Sequence, residues 1–264
     1  MGPSVRSVRV IMALLRVALM NAAQYRASFV VDLLTGAISS VGVILPLIFV
    51  FDHTADLGGW SFDESLLVTG FFLLLQGLVG FAVEPNLSAV VEGVRSGALD
   101  YLVLKPVDAQ LAASLQRVAP AKAWDIFAGG GVTAWGLAHL PTPSAGQFLT
   151  AGALLALGLL ATYGLWVLVI CTSFWFVRVD NLRFLLTAVL DAGRWPVGIY
   201  RGWVRLVLTV VIPVAVVTSF PALALIGRLN PTLVVQAAGV CVALLVASRL
   251  SWLAALRHYT SASS

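Results

Sequence analysis

Residues 64–84 read ESLLVTGFFLLLQGLVGFAVE, with no formal charge between the two glutamates. A helix rising about 1.5 Å per residue needs roughly 20 apolar residues to cross a hydrocarbon core, and this run is of that length. The run is continuous rather than alternating, so it reads as a helical span and not as a barrel strand. Outward from it the same signature recurs. One uncharged run lies between Asp32 and Asp52. Another, between Asp125 and Arg178, is long enough for two crossings and is broken by the turn HLPTPSAG at 139–146. A further run, between Arg205 and Arg228, contains Pro213 and Pro221, and the last extends from Pro231 to Arg249 or Trp252. These runs predict one all-α integral membrane domain over 1–264, with six transmembrane helices at about 27–51, 62–83, 119–138, 148–177, 201–219 and 232–253.

Composition agrees. Of 264 residues 60% are hydrophobic and 11% charged, and the mean hydropathy is +0.97. Soluble domains carry about 25% charged residues, and a soluble globule this apolar would expose large greasy patches. A soluble enzyme, a nucleic-acid-binding domain and a disordered regulator are excluded. Cys171 and Cys241 lie in apolar runs and form no metal-ligand spacing, so they read as small buried hydrophobes.

The basic residues orient the spans. With six crossings, 15 of the 16 Lys and Arg residues fall on one side, and Arg228 alone falls on the other. Positive residues mark the cytoplasmic side, so both termini are expected there. Val5, Val8, Met12, Leu15 and Leu19 form an apolar stripe, which predicts an amphipathic interfacial helix over residues 1–26.

Two long cytoplasmic loops are expected, 84–118 and 178–200. In the first, Leu87, Val90, Val91 and Val94 share a helical face, Asn86 reads as an N-cap and Ser96-Gly97 as a stop. The short apolar segment ALDYLVLKP (98–106) follows, and Asp108 reads as the cap of the next helix. A mere reversal of direction needs no such elaboration, so something docks there. The alternative is that the segment packs only against the chain's own spans. In the second loop, Leu182, Leu185, Leu186 and Val189 share a face opposite Asp180, Arg183, Thr187, Asp191 and Arg194, ending at Trp195-Pro196.

No P-loop, nucleophile motif or paired metal spacing occurs. The expected spans carry no charge at mid-membrane, which disfavours proton- or sodium-coupled transport. Energy supplied from outside the membrane fits better.

In order along the chain, Tyr25-Arg26-Ala27, Ser61-Phe62-Asp63-Glu64, VRSGALDY at 94–101, Leu104-Lys105-Pro106, Arg194-Trp195-Pro196, Ile199-Tyr200, Ile212-Pro213-Val214-Ala215 and Pro221-Ala222-Leu223 give a pattern that resembles the ABC-2 type permease family, in its six-helix exporter branch. The resemblance covers nearly the whole chain. It implies a permease subunit of an ATP-driven exporter in the bacterial cytoplasmic (inner) membrane. A pair of cytosolic ABC ATPase subunits would carry ATP and Mg, with no cofactor or catalytic residue on this chain. A second permease, a related but different chain or a second copy, would complete the path, and no nucleic acid is expected. The loop between spans two and three would supply the coupling helix.

On this reading Arg95, Leu99, Asp100, Tyr101, Leu102, Lys105 and Asp108 meet the ATPase. Leu99, Tyr101 and Leu102 are the apolar anchors, and Arg183, Asp191 and Arg194 form a second cytoplasmic contact. The fifth run is too short to cross before Ser219-Phe220-Pro221, so a short re-entrant segment after it, over residues 222–226, is expected on the outer side, with Pro213, Phe220 and Pro221 as an outer gate. An ion-coupled secondary transporter and a non-transporting membrane scaffold are the alternatives.

Overall fold

The computed structural model describes the backbone of Met12, Arg16, Met20, residues 26–175 and residues 180–259, and the side chains of residues 26–29 and 180–183 lie outside the described set. The expected interfacial helix over 1–26 and the Arg183 side chain therefore fall outside the described residues. All regular structure among the described residues is helical.

Helix α1 spans Arg26–Phe51. Helix α2 runs unbroken over Phe62–Ser96. It starts at a capping box in which Ser61 Oγ accepts from the Glu64 N–H at 3.3 Å and the Ser61 N–H donates to Glu64 Oε2 at 3.0 Å. The helix was expected to stop at 83, with Asn86 starting a new one. Instead a π-turn at Val79–Val83 carries it past Pro85. A proline leaves the carbonyl four residues earlier without its helical donor. Here that carbonyl, of Phe81, accepts from the Ala119 N–H at 3.0 Å. Asn86 is 1% exposed and caps nothing. Its amide donates to the carbonyls of Ala82 (2.6 Å) and Arg117 (2.7 Å), and its carbonyl accepts the N–H groups of Gln116 and Arg117, both at 2.7 Å. All four of its hydrogen-bonding positions are used. Gly97, at φ +77°, ends α2 in the left-handed conformation that glycine adopts most readily.

Two short helices follow, α3 (Leu99–Val103) and α4 (Ala109–Ala113). Helix α5 is Ala123–Ala138, and α6 is Ala145–Cys171, capped by Ser144 and Gln147. Then come α7 (Asp180–Leu190), α8 (Gly202–Val211), α9 (Val214–Leu225) and α10 (Pro231–His258). Among the described residues, four helical stretches are long and apolar enough to cross a membrane: Val30–Phe51, Phe62–Ser96, Ala145–Phe174 and Pro231–His258. The pair α8–α9 makes a fifth if it is counted as one span. Helix α5, in the range expected for span three, has 16 residues.

Close backbone approach joins α2 to α5. A β-carbon on Gly77 would lie 2.6 Å from the Ile126 nitrogen, one on Gly129 would lie 2.6 Å from the Leu74 nitrogen, and one on Gly70 would collide with Thr133. The two helices run antiparallel, since Gly136 faces Asp63 while Gly77 faces Ile126. Helices α6 and α10 run parallel, with Gly164 at Leu244 and Phe174 stacked edge-on against Trp252 at 6.2 Å.

Two features differ from the sequence reading. Residues 191–199, expected inside a cytoplasmic loop, pack along α2 in antiparallel order. Gln76 Nε2 donates to Asp191 Oδ1 at 3.3 Å, Gly193 faces Phe72, Thr69 Oγ1 donates to the Arg194 carbonyl at 3.5 Å, and Gly198 lies beside Trp60. The range 201–219, expected as the fifth span, contains a break. Helices α8 and α9 meet at 66° across Ile212 and Pro213. Ile212, at φ −118° and ψ 92°, takes the extended backbone that a following proline favours. Pro221 lies within α9, where a local distortion at Thr218 (φ −107°, ψ −66°) accommodates it.

Candidate functional site

The segment from Arg95 to Asp108 sits at one end of the bundle and has two faces. Leu99 and Leu102 are 3% and 5% exposed and belong to the same core as Val90, Val91, Ala112 and Ala113. Tyr101 and Leu104 are 78% and 81% exposed, and Val103 lies beside them at the surface. The three expected apolar anchors thus divide. Leu99 and Leu102 fasten α3 to the chain itself, and Tyr101 remains outward with Leu104, which the sequence reading left out. An i, i+3 spacing puts residues 99 and 102 on one helical face, and this was the signal available for telling them from 101 and 104.

Asp108 ties the segment to the last helix. Asp108 Oδ1 accepts from the Leu111 N–H at 3.1 Å, capping α4. Its carboxylate also receives both terminal nitrogens of Arg249, at 2.5 and 3.1 Å. This pairing holds the Asp108 carboxyl below its ordinary pKa of 3.8. Arg249 Nη1 reaches Gln110 Oε1 at 3.1 Å as well, and Tyr163 of α6 bonds Ser114 at 2.7 Å and receives Gln110 Nε2 at 3.4 Å. The Tyr259 hydroxyl, just beyond α10, is buried without a hydrogen-bond partner, and burial first and then the neighbouring Asp100 carboxylate push its pKa up. Arg249, Tyr163 and Tyr259 were absent from the sequence-based assignment, because the residues they meet lie far away in the chain. Arg95 is exposed and Lys105 partly so.

A cavity of about 190 Å³ lies further into the bundle, between α2, α5, α6 and α7. Phe72, Leu75, Trp166 and Leu190 form its apolar wall, and Gln76, Asp125 and Asp191 line its polar part. Asp125 is 3% exposed, with Lys122 Nζ at 3.3 Å and Ser40 Oγ at 3.4 Å. The indole N–H of buried Trp166 has no acceptor. Asp191 and Arg194, expected at a second cytoplasmic contact, are thus turned toward the bundle: Asp191 faces Gln76, and Arg194 Nε is buried without a hydrogen-bond partner.

At the opposite end, Arg228 donates to Glu64 Oε1 and to the Gly59 carbonyl, both at 2.7 Å, and stands 5.7 Å from the Trp60 ring centre. Pro213, Phe220 and Pro221, expected at an outer gate, are all buried. Phe220 lines a second cavity of about 310 Å³ with Val197, Arg205, Thr209, Leu233 and Gln236.

A family model described as ABC-2 family transporter protein matches residues 37–263, which takes in every helix from within α1 to the end of α10. No curated protein and no solved structure matches the chain. Long apolar helices that pack through glycines and a family match over most of the sequence lead to one conclusion: the chain belongs to the ABC-2 family of transporter proteins, as a multi-pass membrane component that works with an ABC ATPase subunit.

Proposed function

We propose that this chain is the membrane-spanning permease of an ATP-driven exporter in the bacterial inner membrane, with the α3–α4 end in the cytoplasm docked on the ATPase. The observation that carries the reading is the outward pair Tyr101 and Leu104, held on a short helix whose other face, Leu99 and Leu102, is locked into the bundle. Exposed aromatic and aliphatic anchors on a rigid support are what a partner's groove requires. Arg95 and Lys105 flank the pair and orient the contact. A second permease, related or identical, completes the path, and the cavity beside Gln76 and Trp166 is this chain's contribution to it.

The membrane is crossed six times in this reading, with the fifth crossing moved. Residues 180–199 climb along α2 from the α3 end to Trp60, and α8 and α9 dip in from the outer side and return to it. Two facts support this arrangement: Gly198 and Arg228 both meet the Gly58–Glu64 region, and α8–α9 is bent rather than straight. Irregular backbone at membrane depth is tolerated where protein covers it, and Gly193, Pro196 and Val197 are buried. The outer re-entrant segment is then the α8–α9 pair rather than residues 222–226.

The docking reading is tested by purifying the chain with its ATPase subunit. Tyr101→Ala should weaken the complex or lower ATP hydrolysis by it. An unchanged complex with unchanged hydrolysis would refute the docking role. The enclosed carboxylates Asp125 and Asp191 favour a second reading, ion-coupled transport. Transport that persists without ATP or an ATPase subunit would establish it instead.

A further inference from the structure

We infer that Arg249 is a positioning residue, through which movement of the docking segment passes to the last helix. The inference rests on the reading of residues 98–108 as the ATPase contact. The docking segment meets α10 where the Asp108 carboxylate closes on Arg249 through two hydrogen bonds. Two bonds from one guanidinium fix orientation as well as position, so the segment cannot swing without carrying α10 with it.

The Asp108 contact has the geometry for the task. It is bidentate, and a planar guanidinium resists rotation against a carboxylate in a way a point charge does not. The same guanidinium holds Gln110, whose amide reaches Tyr163 on α6. A single side chain therefore links the docking segment to both members of the parallel α6–α10 pair. Those helices run from this end of the bundle to the opposite end, where α10 begins at Pro231, close to Arg228 and its contacts with Gly59 and Glu64. A displacement imposed on Tyr101 and Leu104 is delivered by this route to the far end of the molecule.

The test uses the complex of the chain with its ATPase subunit in lipid nanodiscs, in a Cys171→Ser/Cys241→Ser background. Spin labels at His53→Cys and Thr232→Cys report the far end of the bundle, away from the docking segment. Addition of ATP and vanadate is expected to shift the distance between the labels. Arg249→Gln should cut that shift at least twofold while ATP hydrolysis continues. Asp108→Asn, which keeps the helix cap, should cut the shift as well, and the double variant should lose no more of it than either alone. Arg249→Lys, which keeps the charge without the fork, should fall between. A full shift in Arg249→Gln, a full shift in Asp108→Asn, or no shift in the parent complex would each overturn the inference. Tyr101→Ala separates it from the docking reading. If that variant leaves the complex and its hydrolysis unchanged, the docking reading fails. If it impairs them while Arg249→Gln transmits normally, only the role of Arg249 fails.

Discussion

Gly198 and Arg228 lie against the same side chain, Trp60. A β-carbon on Gly198 would sit 3.4 Å from the indole nitrogen, and the Arg228 guanidinium stands 5.7 Å from the ring centre. The chain between them enters the bundle, turns at Ile212-Pro213 and returns to the place it left. A single crossing over 201–219 would separate its ends by the thickness of the membrane, about 30 Å.

This arrangement predicts the side on which residue 198 is found. In intact cells, Gly198→Cys and Pro143→Cys should react with an impermeant maleimide from outside, and Asp100→Cys only after permeabilisation. Labelling of position 198 only after permeabilisation would return residues 178–200 to the cytoplasm.

The α2–α5 contact predicts a difference among glycines. Alanine at Gly70, Gly77 or Gly129 meets backbone or side-chain atoms of the facing helix, and overpacking of this kind costs about 1–3 kcal/mol. Gly130 and Gly131 face open space, so alanine there should be neutral or stabilise by up to about 1 kcal/mol through helix propensity. Thermal unfolding in detergent should rank the variants in this order.

Asn86 predicts where the fold loosens first. Asn86→Ala leaves the Gln116 and Arg117 N–H groups without their acceptor, at about 1–3 kcal/mol for each group that stays buried. Hydrogen exchange should quicken at residues 114–119 and remain unchanged in α6.

The Asp108–Arg249 contact predicts a flat pH response. The folded-state pKa of Asp108 is depressed, so the stabilisation from pairing is fully present above its ordinary value of 3.8 and is lost as pH falls through the lower folded value. Communication between the docking segment and α10 should therefore not change between about pH 5 and pH 8 through this group. A loss of the nucleotide-driven distance change across that window that Asp108→Asn abolishes would contradict the assignment.

The sequence made much of this legible, and the misses have physical causes. Long apolar runs identified α1, α2, α6 and α10, because the bilayer requires continuous apolar length. The family pattern was readable from motif order alone. The bend within 201–219 and the packing of residues 191–199 along α2 were not foreseen, because residues 180–199 are broken into a helix and short 3-10 turns and carry Asp191 and Arg194. The packing of these residues beside Gln76 and Thr69 is a tertiary fact that no hydropathy window registers. Asn86 looked like a cap because it follows Pro85, and the π-turn that absorbs the proline leaves no local signature. In segment 98–108, the face that points outward depends on where Val90, Val91, Ala112 and Ala113 lie, which composition does not register.

The most direct test of the docking account is site-specific photocrosslinking in cells, with a photoreactive amino acid placed at Leu104, at Leu102 or at Pro143. The account predicts an adduct at position 104 whose partner, sequenced by mass spectrometry, carries a nucleotide-binding P-loop. It predicts no such adduct from buried Leu102 or from Pro143 at the opposite end. Absence of an ATPase adduct at 104, or an equal one at 143, would contradict it.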